Sequence, residues 1–309
     1  MSAYLHAFGA YLPDRGVTNA ELAGRLCCSE EWIEKASGIR ERRWAGAETS
    51  VADLAAQAAN ACLARAGVAA SQIGLLILAS GSAPPGFPAP AAAVATRLGM
   101  GMAPALDLPM ASAGSLFGLA LAARMAETCG DILVVASEKM SAVIEAHPLD
   151  QNTAILFGDG AGAALVSSRP GQWKILDCAL HSDGQFAGDL RYDFGSPLQM
   201  NGLSVILHAS RKMPSAIQET LERSGIAAQD VSQFLVHQAN QNLLTRVAKG
   251  LGVSEARVFS NVARYGNTSS ASMLIAAAEW SAGQPSDGPI VFAAFGAGWH
   301  WGALVAGAA

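Results

Sequence analysis

Ala105-Leu106-Asp107-Leu108-Pro109-Met110-Ala111-Ser112-Ala113-Gly114-Ser115-Leu116-Phe117-Gly118 reads as a short apolar strand running into a helix of small residues, with Ser112 at the junction. A strand that feeds a helix in this way is the repeating unit of layered α/β proteins. A hydroxyl at such a turn faces the positive end of the helix, where unpaired backbone N–H groups can hold a developing oxyanion. The geometry suits acyl transfer. Two later segments complete a set of chemical groups: Val236-His237-Gln238-Ala239-Asn240 supplies an imidazole, and Tyr265-Gly266-Asn267-Thr268-Ser269 supplies a carboxamide. Taken singly, His237 reads as a core histidine at a strand end and Asn267 as a turn residue beside glycine.

Outward from Ser112, apolar β-rich runs alternate with Ala- and Leu-rich helical stretches. Strands are expected near Ile73 to Gly81, Pro104 to Leu108, Asp131 to Ser137 and Gly162 to Val166, and again near Gln233 to His237, Arg257 to Ser260, Pro289 to Phe295 and Trp301 to Val305. Each set closes in a hairpin through a glycine-rich turn, Phe157 to Ala163 in the first and Phe295 to Gly302 in the second. Neither run opens a helix after a strand or ends in Lys-Ser/Thr, so neither is a phosphate cradle. Ser168-Arg169-Pro170-Gly171 marks the boundary. The expected halves are residues 1–168, carrying the nucleophile, and 169–309, carrying the histidine and asparagine.

The 309 residues are 51% hydrophobic with a net charge of −5. The acidic balance argues against a nucleic-acid surface, and no uninterrupted apolar run long enough to span a bilayer or serve as a signal sequence is present. A cytoplasmic protein without a membrane role is expected. Cys27, Cys28, Cys62, Cys129 and Cys178 lack metal-ligand spacing and a secreted framework, and His147, His181, His208 and His300 show no metal pairing. The basic clusters Arg40/Arg42/Arg43, Arg211/Lys212 and Arg246/Lys249 read as solvated surface or as a dock for an acidic partner or a phosphate.

These motifs resemble the β-ketoacyl-acyl-carrier-protein synthase III family of the thiolase superfamily over nearly the whole chain. The matching segments are Glu31-Trp32-Ile33, Gly38 to Arg42, Phe87-Pro88, Asp107 to Gly114, Phe157 to Ala163, His237 to Asn240, Gly266 to Ser269 and Phe295 to Gly302. The resemblance implies an α/β thiolase-like fold of two pseudo-symmetric βαβαβαββ halves in five αβαβα layers, a homodimer, and an acyltransferase working by ping-pong acylation at residue 112. It implies Ser112, His237 and Asn267 as catalytic residues and the backbone N–H groups of Ser112 and Ala297 as an oxyanion hole. Phe87 matches a gate over the partner's acyl pocket, or else anchors its own loop in the core. Trp32, Met200, Gly202, Ala239, Asn240 and Phe295 would line a pantetheine or coenzyme A tunnel, and Arg211, Lys212, Arg246 and Lys249 would dock an acyl carrier protein. No permanently bound cofactor is implied; coenzyme A or phosphopantetheine thioesters are substrates.

The chain departs from the family pattern at residue 112, where the family has cysteine. A thiol can be brought to thiolate by a helix end and a nearby histidine, whereas a serine hydroxyl needs a base during attack, a part expected of His237. Ser112 thus marks a natural oxyester acyltransferase of fatty-acid or specialised-metabolite biosynthesis, a synthase III whose cysteine has been replaced, or a non-catalytic partner subunit. The arginine expected beside Trp32 falls at Ala36, other basic contacts fall at Gln151 and Asn242, and Leu203 occupies a polar tunnel position. These losses should weaken coenzyme A binding.

Overall fold

The computed structural model describes residues 2–193, 195–283 and 287–309. Five strands, β1 (Tyr4–Tyr11), β2 (Ile73–Ala79), β3 (Ala105–Leu108), β4 (Asp131–Lys139) and β5 (Asp159–Ser167), pair in the order β3-β2-β4-β5-β1. Beyond residue 168, β6 (Trp173–Ser182), β7 (Gln233–Val236), β8 (Ile290–Gly296) and β9 (His300–Ala308) pair as β7-β8-β9-β6. The second order repeats the first but lacks the outermost strand. The ladders join at one corner, where Tyr4 faces Lys174 and Leu5 faces Trp173.

Three sequence expectations are corrected here. Arg257 to Ser260 forms no strand: a 3₁₀ turn at Glu255–Arg257 and a short helix at Val262–Tyr265 leave only Val258 to bridge Phe234. The Phe157 to Ala163 run is not a hairpin turn, because β5 already starts at Asp159 and the connection from β4 is made by short helices at Met140–Glu145 and Gln151–Ala154. Its glycines serve close packing instead; a Cβ on Gly162 would lie 2.6 Å from the Leu274 Cβ. The Arg40/Arg42/Arg43 cluster is not uniformly solvated, since Arg42 is 0% exposed. Its guanidinium donates to the Val17 and Ile155 carbonyls and to Asn19 Oδ1, and burial pushes its pKa down to about 10. The opening strands β1 and β6 were not among the strands read from the sequence.

Five longer helices cover the sheets: α1 (Val51–Ala66), α2 (Gly114–Cys129), α3 (Gly202–Ser224), α4 (Gln241–Leu251) and α5 (Ser272–Ala282). Helix α1 begins in a capping box between Ser50 and Asp53 and packs outside the first sheet, while α3 covers the outer face of the second. Between the sheets lie α2 and α5, which explains why Met273 to Ala278 are buried without interruption rather than with a helical period. Leu116, Leu119, Leu274, Phe292 and Leu304 meet in this middle layer, each contributing about 1.5–3 kcal/mol of burial. The result is the αβαβα layering that the resemblance implies, and it brings the N-terminus of α2 against the loop that precedes α5.

Candidate active site

Ser112 occupies the turn between β3 and α2 with φ +60°, a left-handed conformation in a non-glycine residue, which costs about 1–3 kcal/mol unless surrounding contacts impose it. Those contacts are present. A Cβ on Gly296, in the β8–β9 turn, would lie 2.2 Å from the Ala111 carbonyl and 2.7 Å from the Ala113 nitrogen, so only glycine admits the elbow there. Ala113 caps α2 without a side-chain hydrogen bond, which leaves the amides of its first turn free of a capping side chain. The Ser112 N–H is not free as the oxyanion-hole expectation requires: it donates to Ser269 Oγ at 3.0 Å. Ala297 shares a recess with Ser112.

His237 follows β7, its N–H donating to the Ala293 carbonyl at 2.9 Å. Its Nδ1 lies 2.7 Å from Ser272 Oγ, which also accepts the Gln238 N–H at 3.0 Å. Ser272 thus anchors the Nδ1 side of the ring while also accepting the neighbouring amide. Burial pushes the His237 pKa down to about 4, against a smaller opposing hydrogen bond to the Ser269 backbone. A neutral imidazole carries one N–H donor and one basic nitrogen lone pair, so it can donate to a substrate oxygen or take up a proton.

Asn267 is held the same way. Its N–H donates to the Leu156 carbonyl at 2.8 Å, and its own carbonyl accepts the Gly158 N–H at 3.1 Å. Its Oδ1 accepts the Ser269 N–H at 2.9 Å, which turns Nδ2 outward as the donor. Gly266, with φ +66°, passes where a Cβ would meet the Leu156 carbonyl at 2.7 Å and the buried Arg42 Cβ at 3.0 Å. Beneath this loop the fully buried Glu138 carboxylate accepts from Ser80, Gly81 and Ser82 on one side and from the N–H and O–H of Ser270 on the other.

Ser112, His237 and Asn267 line one cavity of about 510 Å³, together with Trp32, Met200, Gly202, Ala239, Asn240 and Phe295. Ala36, Asn152 and Leu203 complete its outer wall. A smaller recess of about 50 Å³ opens from Ser112 among Met140, Val143, Phe157, Leu190 and Leu198. Phe87 lines neither space and is 99% exposed, so it is no core anchor. Among the docking candidates Arg211, Arg246 and Lys249 are exposed, with no ion-pair partner among the described residues. Lys212 is different: it lies 3.7 Å from Asp183 and 3.7 Å from the centre of the Trp301 ring, which removes it from the free rim. Ser269, Ser272 and Glu138 were missed in the sequence. A run of hydroxyls directly after Asn267, ahead of a wholly apolar helix, was the available signal for the two serines; nothing local marks Glu138.

Comparison with known proteins fits this geometry to a class. The architecture superposes on 3-oxoacyl-[acyl-carrier-protein] synthase III from Aquifex aeolicus with a TM-score of 0.94 at 32% identity, covering 98% of this chain and 99% of that one. A priming β-ketosynthase from a polyketide pathway gives 0.90 at 31% identity, over 99% and 96%. These are thiolase-like acyl-transfer enzymes. In sequence, residues 106–184 match the family described as 3-oxoacyl-[acyl-carrier-protein (ACP)] synthase III, and residues 221–307 match its C-terminal part. A β-ketoacyl-[acyl-carrier-protein] synthase III from Oleidesulfovibrio alaskensis is 35% identical over 98% of both chains. The chain belongs to the synthase III family and is an acyltransferase of the condensing-enzyme type.

Proposed function

We propose that Ser112 accepts an acyl group from a thioester donor, an acyl-carrier protein or acyl-coenzyme A, and passes it to an acceptor in fatty-acid or specialised-metabolite biosynthesis. Residues 1–168 bring the nucleophile and residues 169–309 the two donors. One observation carries this reading: His237, held at Nδ1 by Ser272 Oγ, and Asn267, whose Oδ1 accepts the Ser269 N–H, line the same cavity as Ser112. In the first step the Ser112 Oγ–carbonyl bond forms, the carbon–sulfur bond breaks, and the hydroxyl proton goes to the departing sulfur. During attack the neutral His237 imidazole takes the hydroxyl proton as general base and hands it to the thiolate leaving group. In the second step the ester carbonyl meets the acceptor, a malonyl-derived enolate after loss of carbon dioxide, or a hydroxyl, amine or thiol. The same two donors hold the negative charge on the thioester oxygen. For the acyl-enzyme carbonyl, the Ala297 N–H is the remaining backbone donor once Ser112 N–H is engaged by Ser269.

A homodimer is part of this reading. Phe87 and Met102 are each 99% exposed and Leu106, on the edge strand β3, is 45% exposed, an apolar set suited to a second copy whose recess Phe87 would cap. No helix among the described residues is long and apolar enough to cross a membrane, and we place the enzyme in the cytoplasm without a resident cofactor.

Intact-mass measurement after incubation with acyl thioesters tests the proposal. An adduct absent from Ser112→Ala is the expected result. Ser112→Cys then separates two histories: malonyl-dependent condensation gained in that variant identifies a synthase disabled at its nucleophile, and simple transfer kept by the parent identifies a dedicated oxyester enzyme. The engaged Ser112 N–H favours a second reading, a non-catalytic partner subunit. It is selected if no donor leaves an acyl mass while the chain binds another synthase subunit tightly.

A further inference from the structure

We propose that Glu138 is a positioning residue for acyl transfer, holding Ser269 in the one conformation from which it braces Ser112, His237 and Asn267; the inference rests on the reading above and adds a buried residue to its machinery. Ser269 has φ +45°, which makes it a second left-handed non-glycine residue at the site. It is bonded to the first, its Oγ accepting the Ser112 N–H at 3.0 Å. Its own N–H donates to Asn267 Oδ1 at 2.9 Å, and its backbone bonds to His237. One strained residue thus meets all three catalytic residues.

A left-handed serine returns to an ordinary backbone conformation unless its surroundings forbid it. What forbids it here follows directly in the chain. Ser270 gives both its N–H, at 3.1 Å, and its O–H, at 2.6 Å, to Glu138 Oε1. That carboxylate is 0% exposed near the end of β4, and no cation lies within ion-pair distance of it among the described residues.

Glu138 therefore rests on hydrogen bonds, and the loop after β2 fixes it from the other side. Oε2 accepts the Ser82 N–H at 2.9 Å and the Ser80 and Ser82 hydroxyls at 3.2 Å and 2.5 Å, while the Gly81 N–H lies 3.0 Å from both oxygens. A buried carboxylate held by neutral donors from two loops cannot shift toward one of them without stranding polar groups of the other. Its oxygens form a fixed anchor, and Ser270, tied to one of them by two bonds, leaves Ser269 no room to turn.

Amide hydrogen exchange at Ser112, read by NMR on the full-length protein against the Val134 amide in the centre of β4, tests the brace independently of activity. Ser270→Ala should speed exchange at Ser112 roughly tenfold relative to Val134, and Glu138→Gln should do at least as much. Neither should add to the exchange already released by Ser269→Ala. An unchanged ratio in Ser270→Ala, a rise matched at Val134, or an additive rise in the double variant Ser269→Ala/Ser270→Ala overturns the inference. In acylation, Ser270→Ala should slow the single-turnover rate roughly tenfold while the donor concentration giving half-maximal rate stays within about twofold. His237 and Asn267 lose their brace in that variant, and the few-fold gain from a free Ser112 amide is smaller. An unchanged rate, or a loss carried by weaker donor binding, overturns the inference as well. If the parent gains acyl mass from no donor, the acyl-enzyme reading falls, and the exchange pattern still decides whether Glu138 sets Ser269.

Discussion

At the floor of the cavity His237 and Asn267 each have a fixed partner, Ser272 on His237 Nδ1 and Ser269 on Asn267 Oδ1; at its mouth Trp32, Ala36 and Leu203 border solvent without a charged residue in the lining. The floor is set by hydrogen bonds whose geometry cannot slip without stranding a buried polar group. The mouth is a matter of surface and charge, free to change with the donor. A family member can therefore keep its acyl-transfer donors while altering both its nucleophile and its recognition of the substrate's far end.

The sharpest way to break this contrast is at the floor. His237→Ala and Asn267→Ala should each slow acyl transfer by roughly 10²–10³-fold, measured as the rate of adduct formation and of turnover. The double variant should lose less than the product of the two, because both donors act on one oxygen. Ser272→Ala leaves His237 and Asn267 in place and removes the hydroxyl that orients the imidazole and accepts the Gln238 N–H. A loss of at least about tenfold, restored by Ser272→Thr, is expected where the imidazole has to be held in one orientation; an unaltered rate would mean that the ring is oriented without Ser272.

The depressed histidine adds a pH test. Folded His237 titrates near 4 against an ordinary value of 6.5, so the unfolded chain takes up the proton first. Its contribution to stability is complete above pH 6.5, declines as the pH falls below that value, and is lost through the folded pKa. Denaturant midpoints measured from pH 7 to pH 4 should fall less steeply in His237→Gln than in the parent. Ser269→Ala has a smaller effect of opposite sign on rate: it frees the Ser112 N–H for the acyl-enzyme oxyanion and should quicken acylation a few-fold, at a stability loss of about 1 kcal/mol. Smallest of all, Trp32→Ala at the mouth should change transfer from acyl-pantetheine by less than about twofold. A large effect there would erase the distinction between floor and mouth.

Much of this was legible along the chain. Helix and strand periods placed β2, β3, β4, β5, β7, β8 and β9, because apolar runs bounded by glycine, proline and polar residues have few other uses in an α/β protein. The opening strands β1 and β6 escaped that reading. Tyr4 to Tyr11 and Trp173 to Ser182 carry half-buried positions interspersed with polar residues, a weaker pattern than a continuous apolar run. The Phe157 to Ala163 run misled for a physical reason: glycines that admit a neighbouring helix look in sequence like glycines that admit a turn.

The order and identity of the side chains by themselves determined the fold class, the family, and the set Ser112, His237 and Asn267, since each belongs to a local motif whose spacing survives without coordinates. Only the tertiary structure decided what those groups can do. The imidazole of His237 is anchored by Ser272, thirty-five residues away, and the Ser112 amide is taken by Ser269, 157 residues away. Arg42 is drawn from an apparent surface cluster into the scaffold under Asn267. Protonation state and hydrogen-bond occupancy depend on partners that meet through space, and composition or period along the chain does not record such meetings.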